Sequence, residues 1–193
     1  MIETDHPTRT LVLGGIRSGK SQWAEKAIAE TAGAGQPVRY MATGATPDGD
    51  ADWSARICAH RARRPSHWST VDTADVPTQL RSEPAIPTLV DDIGGWLTAV
   101  MDRRGAWGTG SLGSVAADVD NLIDAVSAFP SPLALVSPEV GLTVVPPTTS
   151  GRRFADELGS LNQRLAELCD RVVLVVAGQP LTVKEPSRAG SAR

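Results

Sequence analysis

A disulfide framework is excluded at the outset, because Cys58 and Cys169 are the only cysteines in 193 residues. Two such isolated thiols also make no spaced metal cluster, and both read as reduced, structural side chains. Aromatics are scarce too, with one tyrosine, two phenylalanines and five tryptophans. No run approaches the roughly 20 apolar residues that span a bilayer, so no membrane span is expected. The first ten residues carry Glu3, Asp5 and His6 where a signal peptide is basic and then apolar. The chain therefore reads as cytoplasmic. Excess positive charge is also missing: the formal net charge is -3, which leaves no global field for nucleic acid and makes any anion binding local.

What the chain does have is alternation. Strand-length apolar runs at Thr10–Leu13, Val38–Ala42, Thr88–Asp91, Leu133–Ser137 and Val172–Val176 are interleaved with helix-period segments. The helices are expected over Ser21–Ala34, Asp52–Arg64, Asp75–Arg81, Ile93–Arg104, Ser114–Ala128 and Ser150–Cys169, the last carrying Leu158, Leu161, Leu165 and Leu168 at steps of three and four. That order predicts an α/β fold with a mostly parallel sheet flanked by helices. One domain is expected over 10–184, between a loose segment at 1–9 and a Pro/Ser/Gly/Arg tail at 185–193. Gly44–Asp50 and Ala106–Gly113 read as surface loops, and Pro146-Pro147-Thr148-Thr149 as a rigid turn.

The strongest chemical signal follows the first strand. Gly14-Gly15-Ile16-Arg17-Ser18-Gly19-Lys20-Ser21 is a complete G-x-x-x-x-G-K-[ST] loop. Its glycines allow backbone N–H groups to converge on phosphate oxygens, Lys20 brings positive charge to the β- and γ-phosphates, and the Ser21 hydroxyl can ligate Mg²⁺. The helix that starts there turns its positive end to the same anion. Such a site also needs a carboxylate at a neighbouring strand end, and Asp91 is the first choice, with Asp92 read as the cap of the next helix.

Helical spacing puts Arg56, His60 and Arg64 on one face. A neutral imidazole flanked by guanidiniums is a competent nucleophile toward phosphorus, although a solvated basic helix has the same pattern. His67 follows Pro65 and reads as a surface residue. Glu139 is either a site carboxylate for metal or substrate or a structural loop residue. Trp53, Trp68 and Trp96 fit either a ligand surface or the core.

Gly14–Gln22, the Arg56–Trp68 segment, Val140-Gly141 with Val145-Pro146, and Asn162-Gln163-Arg164 with Val173–Gly178 together resemble the bifunctional adenosylcobinamide kinase/adenosylcobinamide-phosphate guanylyltransferase family. The resemblance runs from about Thr10 to Lys184. It implies a RecA-like P-loop NTPase domain that assembles as a homo-oligomer, a trimer by family pattern. It also implies ATP and GTP as substrates with Mg²⁺, and adenosylcobinamide and adenosylcobinamide phosphate as acceptors. By the same resemblance Gly14 through Ser21, with Arg17, form the nucleotide-phosphate site, Arg56, Arg64 and Glu139 assist it, and His60 is guanylylated. Some relatives carry two adjacent histidines and use the first, which falls on Ala59 here. Two further departures stand out: Pro138 replaces the usual asparagine before Glu139, and Gly94-Gly95 occupies a stretch where relatives more often have Cys and Thr. These leave open a kinase for another small metabolite, or a nucleotide-binding regulator that has lost activity.

Overall fold

The computed structural model describes residues 9–44, 64–108 and 112–185. The strands are β1 Arg9–Gly14, β2 Arg39–Ala42, β3 Ser69–Asp72, β4 Thr88–Asp91, β5 Leu133–Pro138, β6 Arg171–Val176 and β7 Gln179–Lys184. The helices are α1 Lys20–Ala32, α2 Val76–Ser82, α3 Ile93–Arg104, α4 Leu112–Ala128 and α5 Thr149–Leu168. The expected α/β architecture is present: one sheet in the order β3-β2-β4-β5-β1-β6-β7, parallel throughout except for the antiparallel β6–β7 pair.

Central strands are buried on both faces, which is why they read as continuous apolar runs. Leu11, Val90, Leu133 and Leu135 face a layer made by α2, α3, α4 and α5. Val12, Leu89, Ala134, Val136 and Val173 face Ala24 and Ile28 of α1. In α5, Leu158, Leu161 and Leu165 are buried and Leu168 packs at the core edge. Trp96 lies in the core and Trp68 packs against the α1 side. Cys169 is also buried, and burial pushes its thiol up to about 12, which leaves it unreactive at neutral pH.

Two strands were not expected. β3 is exposed and polar at one sheet edge, and β7 is exposed along its whole length at the other. β7 returns from β6 through a two-residue turn, Ala177-Gly178, both at positive φ (50° and 77°). That is the backbone a tight hairpin requires, with alanine where Asn or Asp is the usual signal. At the loop expected over Ala106–Gly113, Ala106 is buried and α4 already begins at Leu112.

Both described ends are tied down. Arg9, expected in the loose leader, opens β1, and its guanidinium donates to the carbonyls of Val126, Ser127 and Phe129 at 3.2, 2.8 and 3.2 Å. Lys184 Nζ donates to Ala166, Glu167 and Cys169 carbonyls at 2.9, 3.2 and 2.6 Å. Each cation satisfies orphan carbonyls at a helix C-terminus and opposes its dipole. Among the described residues no helix is long and apolar enough to cross a membrane.

Candidate active site

β1 delivers the chain to Gly14 at the carboxyl edge of the sheet, and α1 starts at Lys20. Between them Arg17 and Gly19 take positive φ (56° and 93°), bending the loop back on itself. Ser18 N–H donates to the Gly15 carbonyl at 3.3 Å, and Gly178 N–H to the Ser18 carbonyl at 2.7 Å, so the β6–β7 turn braces the loop. A Cβ on Gly14 would lie 2.4 Å from Ser18 Oγ and 2.8 Å from the Val175 carbonyl oxygen. Only glycine fits there. No side chain caps α1 and no acidic residue lies in its first turn, so its N-terminal amides and dipole are left for an anion. Ser18 Oγ is buried against Gly14 with no hydrogen-bond partner.

The strand order sets the rest of the site. β5 lies between β4 and β1, Asp91 is in register with Val136, and Gly14 with Pro138. The carboxyl ends of three strands thus stand side by side, with β4 and β1 about 10 Å apart. Asp91 Oδ2 accepts a hydrogen bond from the Tyr40 hydroxyl. Asp92, joined to it by a cis peptide, is the α3 cap: its Oδ1 accepts from Gly95 N–H at 2.6 Å. Burial, then the neighbouring Asp91 charge, raises the Asp92 carboxyl above its ordinary range, opposed by the Gly95 N–H and by Lys20. Lys20 is therefore near enough to Asp92 for its charge to act on that carboxyl. Burial, reinforced by the charge and hydrogen bond of Asp91, likewise holds the Tyr40 hydroxyl protonated well above its ordinary range.

Glu139 follows β5, its N–H donating to the Gly14 carbonyl at 3.1 Å and its Oε1 accepting from Gly141 N–H at 2.5 Å. Behind it Asn162 of α5 accepts from Ser137 Oγ at 2.6 Å and donates to the Pro138 carbonyl at 3.0 Å. This buried amide fixes the loop that abuts Gly14. Asn162→Ala leaves two buried groups unpaired, a loss of about 2 to 3 kcal/mol that lowers Tm by roughly 5–10 °C. Calorimetry checks it, and an unchanged Tm refutes it.

The two departures noted above meet each other. A Cβ on Gly94 would lie 2.8 and 3.0 Å from Pro138 Cγ and Cδ, so the proline ring fills the space a side chain on α3 would take. Gly95 similarly allows close approach of Thr43 and Gly44, its Cβ position lying 3.1 Å from Thr43 Oγ1.

Arg56 and His60, with Ala59, Cys58 and Trp53, lie outside the described residues. Arg64 is described, with its guanidinium carbon 3.3 Å from the Tyr40 ring centroid and Nη1 3.0 Å from Thr70 Oγ1. His67 is exposed in a turn. Tyr40 and Thr43 were not anticipated, and Asn162 was read only as part of a family run, with no role at the site. Tyr40 sits in the apolar Val38–Ala42 run and reads as core, and nothing local in the sequence marks it as the partner of Asp91.

Comparison with known proteins matches this chain to a family. The model described as cobinamide kinase / cobinamide phosphate guanyltransferase covers residues 10–183. The chain belongs to this family. It is 40% identical over 182 residues to the bifunctional adenosylcobalamin biosynthesis protein CobP of Pseudomonas aeruginosa, covering 91% of this chain and 97% of that protein. The bifunctional adenosylcobalamin biosynthesis protein CobU of Escherichia coli is 33% identical over 194 residues, 90% of this chain and 98% of its own. Among solved structures, an ATPase of the type III secretion system of pathogenic bacteria superposes with a TM-score of 0.51 at 15% identity, over 86% of this chain and 50% of that one. This member of the cobinamide kinase family thus has the RecA-like P-loop fold, spanning about half of that ATPase's length.

Proposed function

We propose that the family's two transfers divide between the phosphate loop and His60. The chain is an adenosylcobinamide kinase and adenosylcobinamide-phosphate guanylyltransferase of cobalamin biosynthesis, and the observation that supports the phosphate-loop half of the division is the uncapped α1 behind a loop where only glycine fits; the His60 half rests on the family resemblance.

In the kinase step, Gly14–Ser21 cradles the triphosphate of ATP or GTP, with Gly15, Ile16 and Gly19 supplying backbone N–H groups and Arg17 and Lys20 supplying charge. The acceptor hydroxyl oxygen bonds to the γ-phosphorus as the bridging P–O bond breaks, leaving the nucleoside diphosphate. Lys20 is a compact cation suited to the charge on the transferring group. Ser21 and Asp91 offer hard oxygen donors suited to Mg²⁺, and the phosphates and water complete such a shell; among the described residues no group of three acidic, His or Cys side chains could hold a metal unaided. When bound, Mg²⁺ neutralises charge on the phosphates.

In the second step, a ring nitrogen of His60 bonds to the α-phosphorus of GTP and pyrophosphate departs. A phosphate oxygen of adenosylcobinamide phosphate then takes the GMP, giving adenosylcobinamide-GDP and freeing the imidazole. Arg56 and Arg64 would hold phosphate oxygens around it, and Glu139 would bind nucleotide from its place beside Gly14. The mutual fit of Gly94 and Pro138 supports retained activity rather than a lapsed regulator.

Residues 10–184 act as one domain in this reading, in the cytoplasm where ATP and GTP are drawn on. Exposed Leu142, Val144, Val145, Leu181 and Val183 support a homo-oligomer, trimeric by family pattern. Incubation with GTP labelled at the α-phosphate tests the division. Acid-labile, alkali-stable label is expected on the wild-type protein and none on His60→Ala; label kept by that variant removes His60 as nucleophile. Transfer of γ- but never α-label to an acceptor would favour a simple kinase.

A further inference from the structure

Tyr40 lies between the Asp91 carboxylate and the Arg64 guanidinium. It is buried in β2, two residues before the strand's end, and β2 lies directly beside β4. Its hydroxyl donates to Asp91 Oδ2. Its ring carries the Arg64 guanidinium at 3.3 Å, while Arg64 Nη1 bonds Thr70 Oγ1 on β3 at 3.0 Å and Arg64 Nε is buried with no hydrogen-bond partner. The ring is therefore the principal seat of that side chain.

We propose that Tyr40 is a positioning residue for the phosphoryl transfer: its hydroxyl holds the Asp91 carboxylate that completes the phosphate-loop site. The inference rests on reading Gly14–Ser21 as the triphosphate seat and Asp91 as its metal carboxylate. One oxygen of Asp91 is engaged by Tyr40, which limits rotation of the carboxylate and leaves the other oxygen outside that bond. Outer partners of this kind matter because they orient a ligand that would otherwise sample several rotamers, and their loss commonly costs about 10- to 100-fold in metal affinity or rate. The ring contact is separable from the hydroxyl contact, since a phenylalanine retains the first and lacks the second.

The full chain is compared with Tyr40→Phe and Tyr40→Leu in two ways. Titration with a non-hydrolysable ATP analogue, with and without Mg²⁺, gives the metal-dependent gain in affinity. Labelling with γ-labelled nucleotide gives the phosphoryl transfer, and Tm gives the folded baseline. Tyr40→Phe is expected to lose about tenfold of the metal-dependent gain and of the kinase kcat, with metal-free affinity and Tm unchanged. Tyr40→Leu is expected to show the same metal-dependent loss together with a lower Tm, since it also removes the ring beneath Arg64. A Tyr40→Phe protein with the full metal-dependent gain overturns the hydroxyl role. One in which metal-free and metal-dependent binding fall together with Tm shows a structural residue and overturns it equally. Absence of any metal-dependent gain in the wild type sinks the metal reading of Asp91 first, a result distinct from all of these.

Discussion

Gly14→Ala is expected to cut kcat/KM for phosphoryl transfer by about 100-fold, the scale on which a displacement near 1 Å acts on an aligned reaction. The added methyl has nowhere to go. It would stand 2.4 Å from Ser18 Oγ and 2.8 Å from the Val175 carbonyl oxygen, and the second is backbone held within the sheet between β1 and β7. The loop must therefore yield, and the loop is what aims the phosphate-binding amides. Overpacking of this size costs about 1 to 3 kcal/mol, too little to unfold a domain of ordinary stability. Loss of function with a Tm lowered by only a few degrees is the distinguishing result. Titration with ATP, steady-state kinetics and calorimetry on one preparation decide it; unimpaired binding and turnover would mean that the loop tolerates a side chain and the tight contact is unimportant.

The second large effect is a coupling. Gly94→Thr alone is expected to destabilise the protein by about 2 to 3 kcal/mol, since overpacking against a rigid ring outweighs the few tenths gained in helix propensity. It should also slow the kinase, because Pro138 precedes Glu139, whose N–H bonds the Gly14 carbonyl. In a Pro138→Ala background the Cγ and Cδ that block position 94 are gone, so most of that loss should disappear. A double-mutant cycle on denaturant midpoints is expected to give a coupling of about 1 to 3 kcal/mol. Strict additivity would show that the two positions do not sense each other and that the proline is an independent departure.

Much of this fold was legible because local and long-range signals agree. Helix α3 spans Ile93–Arg104 as read, bounded by the Asp92 cap, by Arg103 and Arg104 in its last turn and by Gly105 in the left-handed region. The central strands announce themselves through burial on both faces. β3 and β7 do not, because they are exposed edge strands whose polar residues suit water as well as a ladder. At the site, the phosphate loop is a contiguous motif and needs no tertiary information. The hydrogen bonds of Tyr40 to Asp91 and Asn162 to Ser137, and the packing of Pro138 on Gly94, join residues brought together only by the sheet order. Composition carries no trace of such meetings. The same holds for Arg64: its spacing from His60 suggested a shared cationic face, but the ring beneath it belongs to a strand read as core.

The clasps made by Arg9 and Lys184 also have a practical side. β1 begins and β7 ends at the amino edge of the sheet, two strands apart, while the phosphate loop and Asp91 sit at the carboxyl edge. Handles for immobilisation, fluorophores or fused partners attached outside residues 9 and 184 leave from the face opposite the chemistry. A surface-tethered enzyme oriented in this way presents its nucleotide entrance outward, whichever end is used as the attachment point.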